Sequence, residues 1–361
     1  MARFIALYLP QYHPIPENDE WWGKGFTEWT NVAGAKPLYP GHKQPRIPTE
    51  LGFYDLRLPE VREQQAELAK EFGVEAFCYY DYWFGNNKRL LERPIEEVIK
   101  SGKPDYPFCL SWANGSWYNK KWDPKAPDKD KMLIKQEYQG EDDYKNHFYA
   151  LLPAFKDARY IKVNGKLFYM VCETFDSPEI KSFISCWRRL AHENGIGDFY
   201  FVGQDTDSRH KKEILDMGFD AIVNVDVKNV HHHFPTWKKV VLLLIRKVFK
   251  IPTVVSYRKA INYMVIDDCR SEEVIPSISP NWDHTPRSKH NGFVLSNAKP
   301  QFFKKLVLRA IEMVREKPVE EQIIMIKSWN EWGEGNYMEP DQLYGRGYLE
   351  ALKEAIEITK G

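Results

Sequence analysis

The chain has 361 residues, with 51 Lys and Arg against 51 Asp and Glu and a formal net charge of zero. That length suits one α/β barrel with insertions, which needs about 250 residues or more, and the charge balance offers no basic field for a nucleic-acid backbone. Five scattered cysteines, Cys78, Cys109, Cys172, Cys186 and Cys269, read as buried free thiols rather than a disulfide framework or metal cluster.

Short apolar runs recur along the chain: Phe4 to Leu9, Ala76 to Tyr82, Phe108 to Trp112, Leu167 to Cys172, Phe199 to Val202, Ala221 to Val225, Val274 to Ser279 and Ile323 to Ser328. Between them lie segments with apolar residues three and four apart, such as Leu58 to Phe72, closed by Gly73, and Pro300 to Glu316. This alternation predicts an α/β fold, a (β/α)8 TIM barrel spanning residues 1–361 as a single catalytic domain with long loops on its catalytic face. A doubly wound open sheet competes, but it would carry a Gly-rich phosphate loop after its first strand. Here that strand runs into Pro10-Gln11-Tyr12-His13.

Nearly every run ends on polar or aromatic residues, the pattern of barrel enzymes, whose catalytic face is built at the C-terminal strand ends. Two insertions interrupt the alternation. Residues 14–54 are dense in Pro, Gly and Trp and are expected to fold over the catalytic face. Residues 231–251 contain the lysine-flanked apolar run 238–250, read first as an ordinarily packed outer helix and second as a segment on an anionic membrane surface near a lipid-linked glycan. His231-His232-His233 read as loop residues, because adjacent histidines do not converge on one ion. No metal or cofactor is expected. The first residues enter a strand with no export signal, and no run reaches the ~20 apolar residues of a spanning helix, so a cytoplasmic protein, peripheral at the inner membrane in the second reading, is expected.

The 12 tryptophans and 20 tyrosines fall among amides and carboxylates, a mixture suited to a glycan cleft, although cores and interfaces use aromatics as well. The segment Trp329-Asn330-Glu331-Trp332-Gly333-Glu334-Gly335 follows the last apolar run and delivers two carboxylates three positions apart. The glycines let the backbone bend so that both can face one pocket, and glycosidic cleavage needs two such groups. Tryptophan walls would raise the pKa of the acid towards neutrality. A solvated turn whose glutamates cap the next helix is the plainer alternative, against which the two tryptophans weigh.

Candidates for holding the sugar are Tyr12, His13, Glu28, Trp29 and Asn31 near the first insertion, then Tyr80, Asp81, Trp83, Trp112, Asn114 and Trp117. Glu173, Gln204, Asp205, Trp282 and Asp283 follow, with Trp329, Asn330, Trp332 and Tyr337 around the glutamates. Each reads equally as a buried, hydrogen-bonded structural residue.

Leu9 to Asn18, Trp21 to Val32, Pro280 to Arg287 and the Trp-Asn-Glu-Trp-Gly-Glu-Gly segment together resemble the WbsX-like glycosyltransferases of bacterial polysaccharide clusters. The resemblance covers nearly the whole chain. That family is similar in turn, more distantly, to glycoside hydrolase family 99, the endo-α-mannosidases, which are (β/α)8 barrels with a late Glu-X-X-Glu pair. The resemblance implies that Glu331 takes the proton of the substrate's own 2-hydroxyl, which attacks the anomeric carbon. Glu334 would protonate the leaving oxygen and then act as base on water, retaining configuration.

The expected function is therefore retaining endo-type hydrolysis of a bacterial surface polysaccharide or lipid-linked glycan. The alternatives are a glycosyltransferase of lipopolysaccharide, O-antigen or capsule synthesis, for which Asp205-Thr206-Asp207 supplies a weak Asp-X-Asp pattern, and a noncatalytic glycan-binding barrel.

Overall fold

The computed structural model describes residues 2–119, 131–205, 208–225, 227 and 229–360. The eight apolar runs form β1 (Arg3–Tyr8), β2 (Ala76–Trp83), β3 (Phe108–Trp112), β4 (Lys166–Val171), β5 (Phe199–Asp205), β6 (Ala221–Asn224), β7 (Val274–Ile278) and β8 (Ile323–Ile326). They pair in parallel, each with the next, and the ring closes because β1 pairs with both β2 and β8, Ile5 standing opposite Ala76 on one side and Met325 on the other. A closed parallel ring is covered on both faces, which is why these strands read as continuous apolar runs instead of alternating ones. All eight residues of β2 are buried.

Helices α1 (Pro59–Glu71), α2 (Arg93–Ser101), α3 (Glu141–Phe155), α4 (Ile180–Glu193), α5 (Lys211–Asp216), α6 (Tyr257–Met264), α7 (Pro300–Val314) and α8 (Gly347–Ile358) lie between and after the strands. In α7 the buried Phe303, Leu306, Val307, Ala310, Ile311 and Val314 mark one face at three- and four-residue spacing. Pro59 and Pro300 open their helices in the first turn, where a missing N–H costs nothing. The architecture is the (β/α)8 TIM barrel.

The first insertion folds into the short helices Pro16–Trp22 and Glu28–Ala33 followed by a long loop. Its ties are specific: Trp29 Nε1 donates to the Tyr54 carbonyl at 2.7 Å, and His42 and Gln44 each reach Asp283 Oδ2 at 2.7 Å.

The second insertion departs from ordinary packing. The helix Thr236–Phe249 has no buried residue, and Trp237, Leu244, Val248 and Phe249 are exposed. Lys238, lying 3.5 Å above the Phe234 ring, and Lys239, donating to the His232 carbonyl at 3.1 Å, help hold it in place. No helix among the described residues is long and apolar enough to cross a membrane. All five cysteines are free, four of them buried and Cys172 half-buried.

Candidate active site

The buried apolar strand β8 ends at Ile326, and Lys327 begins a turn built from side-chain hydrogen bonds. Asn330 continues the barrel closure beyond the backbone ladder: its Oδ1 accepts from Leu9 N at 2.7 Å and its Nδ2 donates to Leu9 O at 3.0 Å. Ser328 Oγ donates to the Asn336 carbonyl at 2.7 Å and accepts from Glu331 N at 3.0 Å. Asn330–Glu331 then pairs antiparallel with Asn336–Tyr337 around a single 3-10 turn, Trp332–Glu334. Two glycines are required there. A Cβ on Gly333 would fall on Glu28 Oε2 and lie 2.8 Å from Arg287 Nε, and Gly335 has φ +64° with the Asp283 backbone against it.

This turn brings Glu331 and Glu334 to the wall of a cavity of about 320 Å³ whose lining includes the ends of β2, β4, β5 and β8 and the first insertion. Neither glutamate is a solvated cap; Glu331 is 5% exposed. Glu331 Oε2 accepts from Asn336 Nδ2 at 2.9 Å and lies 3.4 Å from Lys327 Nζ, which leaves Oε1 for the cavity. Lys327 Nζ is also 3.4 Å from the Tyr80 hydroxyl. Burial works against the charge on Lys327, yet Glu331 and Glu334 raise its pKa.

Glu334 does not meet the expectation of a raised pKa. Burial would raise it, but Arg287, then His284 and Lys327, hold it well below the ordinary carboxylate value. Arg287 Nη1 donates to Glu334 Oε1 at 2.5 Å and Nε to Glu28 Oε2 at 2.9 Å, with His284 Nε2 3.6 Å from the same Glu334 oxygen. An adjacent guanidinium outweighs the tryptophan environment.

Of the other sequence candidates, Glu28, Tyr80, Trp117, Glu173 and Gln204 line the cavity. Asn114 stands behind it, clamping the Glu173 backbone through Oδ1 to N at 2.8 Å and Nδ2 to O at 3.0 Å. The rest are held elsewhere. Asp81 is buried against Arg89 and His147 at 2.7 and 2.8 Å, which bring its pKa to about 2 despite burial. Trp83 donates to Asp143 and stacks on His147, and Trp112 donates to the Trp83 carbonyl. Asp283 is consumed by His42, Gln44 and Thr285, and Asp205 accepts from the His210 amide. His13 is buried, its Nδ1 without a hydrogen-bond partner among the described residues, and burial takes its pKa down to about 4.

Tyr12, Trp29, Asn330, Trp332 and Tyr337 form the frame beneath the turn. The Tyr12 hydroxyl donates to Asn330 O and accepts from Trp332 N; Trp332 packs flat on Tyr337 at 3.7 Å and donates to Glu339, while Tyr337 donates to Asp341. Trp329 packs on Phe77. Asn31 lies in the helix Glu28–Ala33 and Trp282 lies 5.9 Å below Lys327 Nζ, and neither lines the cavity. Thr206 and Asp207 lie outside the described residues. Among the described residues no three His, Cys, Asp or Glu side chains gather as a metal site would require.

Sequence reasoning passed over Trp22, Tyr82, Arg287 and Lys327, all of which line the cavity. Lys327 had a signal, a lone cation at the end of a fully apolar strand. It also passed over Glu339, a buried carboxyl that accepts from Tyr54, Gln65 and Trp332 at 2.9, 2.6 and 2.6 Å.

Among known structures, an endo-α-mannosidase of glycoside hydrolase family 99 from Bacteroides thetaiotaomicron matches with a TM-score of 0.58 at 14% identity, covering 99% of this chain and 97% of that one. A glycoside hydrolase-like protein matches with a TM-score of 0.61 at 14% identity, over 98% and 93%. These likenesses are of fold. In sequence, the protein WxcX of Xanthomonas campestris pv. campestris is 35% identical over 357 residues, which are 98% of this chain and 50% of that protein. The chain thus spans about half the length of the curated relatives it matches. The family model described as Glycosyltransferase WbsX matches residues 4–352, and the chain belongs to that family of carbohydrate-active enzymes.

Proposed function

We propose that this chain cleaves a glycan, with Glu331 and Glu334 as the working pair. The observation that carries the reading is the charge of the pocket. Its described lining sets four carboxylates, Glu28, Glu173, Glu331 and Glu334, against two cations, Arg287 and Lys327, beside the rings of Tyr80, Tyr82 and Trp117. A net-negative, aromatic pocket favours the positive, oxocarbenium-like transition state of glycoside cleavage. It disfavours the diphosphate of a nucleotide sugar, and so supports hydrolysis, or transfer between glycans, over nucleotide-dependent synthesis.

In this reading Glu331 takes the proton of the 2-hydroxyl as its oxygen bonds to the anomeric carbon. The anomeric bond to the leaving oxygen breaks, and that oxygen receives the proton of Glu334. Water then opens the three-membered ring, giving its proton to Glu334 while Glu331 returns a proton to the 2-oxygen. Configuration is retained. Arg287 sets a condition on the first step: by holding the Glu334 carboxyl well below its ordinary pKa it opposes the protonated form that the acid needs, so the step requires that ion pair to be relieved. A surface polysaccharide or lipid-linked glycan is the proposed substrate class.

Incubation with the polysaccharide or lipid-linked glycan of the source cell, without nucleotide sugar, followed by mass spectrometry, tests this. Shortened products that vanish in Glu334→Gln are expected. Absence of cleavage, with extension on adding nucleotide sugars, would replace this reading with a transferase.

A further inference from the structure

The helix Thr236–Phe249 leaves an apolar stripe uncovered, unlike an ordinary surface helix. Trp237, Val241, Leu244 and Val248 recur at four-, three- and four-residue steps and therefore share one face. That face is turned to solvent: Trp237 is 68% exposed, Leu244 54%, Val248 66%, and Phe249 at the end 69%. Lys238, Lys239 and Arg246, by contrast, are half-buried. A helix that exposes its apolar stripe and turns cations inward is unsuited to water alone.

Charge points the same way. Between Asp226 and Asp267 the sequence has no acidic residue but eight basic ones, Lys228, Lys238, Lys239, Arg246, Lys247, Lys250, Arg258 and Lys259, in a chain whose formal net charge is zero. Among the described residues Arg246, Lys247 and Lys250 form no ion pair with a carboxylate. At 14 residues the helix is about 21 Å long, short of the ~30 Å of a bilayer core, so it is built to lie on a surface and not to span one.

We propose that this helix docks the protein on a bilayer surface rich in anionic lipid, its Trp237–Leu244–Val248 stripe entering the headgroup region and the exposed Lys247 and Lys250 meeting lipid phosphates. A second copy of the chain is the poorer occupant, since a two-fold pairing of this patch would bring its uncompensated cations together. The helix belongs to the loop after β6, at the C-terminal end of the barrel. Arg246 shares a cavity of about 300 Å³ with His231, His232 and His284, and the His284 ring lies 3.6 Å from Glu334. Docking here therefore places the membrane beside the candidate active site. The inference does not depend on what chemistry that site performs.

Co-sedimentation of the full chain with vesicles of phosphatidylcholine alone, and with vesicles containing about one-third phosphatidylglycerol, tests it. Binding to the anionic vesicles is expected, weakened by salt. Leu244→Glu with Val248→Glu should lower the partition coefficient at least about tenfold, and Lys247→Glu with Lys250→Glu should weaken binding selectively at low salt. All four residues are exposed, so circular dichroism should show the fold unchanged. Failure to sediment with either vesicle overturns the proposal, as does binding indifferent to Leu244→Glu with Val248→Glu. So does a dimer in light scattering that those two substitutions dissolve.

Discussion

Arg287 donates from Nη1 to Oε1 of Glu334 at 2.5 Å and from Nε to Glu28 at 2.9 Å, so one guanidinium joins the glutamate turn to the first insertion. It also keeps Glu334 well below the ordinary carboxylate pKa. An acid must hold its proton to act, so activity should decline as pH rises through the Glu334 pKa. In Arg287→Gln that pKa rises and the alkaline limb of the kcat/KM profile should move to higher pH, with thermal denaturation confirming the fold. A limb that stays in place would show that Glu334 is not the acid.

The two glutamates should separate by leaving group. Either substitution to Gln is expected to cut turnover by about 10²- to 10⁴-fold while glycan affinity changes little. An aryl glycoside, whose leaving group needs no proton, should restore the first step in Glu334→Gln and fail to do so in Glu331→Gln. Pre-steady-state release of the phenol is the readout.

Gly333→Ala should be destabilising and inactivating together, because the added methyl would overlap the Glu28 carboxylate and crowd Arg287. Overpacking of this kind costs about 1–3 kcal/mol. Urea unfolding gives the stability, and loss of activity at urea-free stability well above zero would show that the ion-pair geometry, not global unfolding, is responsible.

Glu339, fully buried, has its pKa raised by that burial from 4.5 to about 7. The folded protein holds this proton more tightly than the unfolded one, so the contribution is complete below about pH 4.5 and is lost as pH rises to about 7, a change of about 3 kcal/mol. His13, lowered from 6.5 to about 4, has the opposite slope: its contribution is present above pH 6.5 and lost as pH falls towards 4. The two nearly offset each other in the wild type. In Glu339→Gln, melting temperature should therefore rise more steeply with pH between 4.5 and 6.5 than in the parent.

All eight barrel strands were legible because a fully covered strand must be apolar along its length, and the inward placement of Glu331 and Glu334 was legible because tryptophans seldom crowd a surface turn. Side-chain parity was not. Within β2, Tyr80 and Tyr82 line the cavity, whereas Asp81 and Trp83 engage His147 and Asp143 of α3; a continuous apolar strand gives no alternation from which to tell its faces apart. Strand ends were blurred for a related reason. Gln204 and Asp205 look like loop residues yet pair with Val223 and Asn224, while Lys327 and Ser328 leave the ladder to start the glutamate turn. Arg287 was hidden because its partners, Glu28 and Glu334, lie 259 and 47 residues away.

Asn330 stitches the glutamate turn to Leu9 at the seam where the last strand meets the first. The two carboxylates of the proposed pair thus stand on the joint that forms only when the ring shuts. An open sheet, however much native secondary structure it holds, has no seam and so no such pocket, and on the proposed reading a nascent or partly unfolded chain should be silent instead of weakly active. Chemistry at that pair would be gated by completion of the fold itself, and recovery of activity during refolding would report the final closure rather than the average order of the chain.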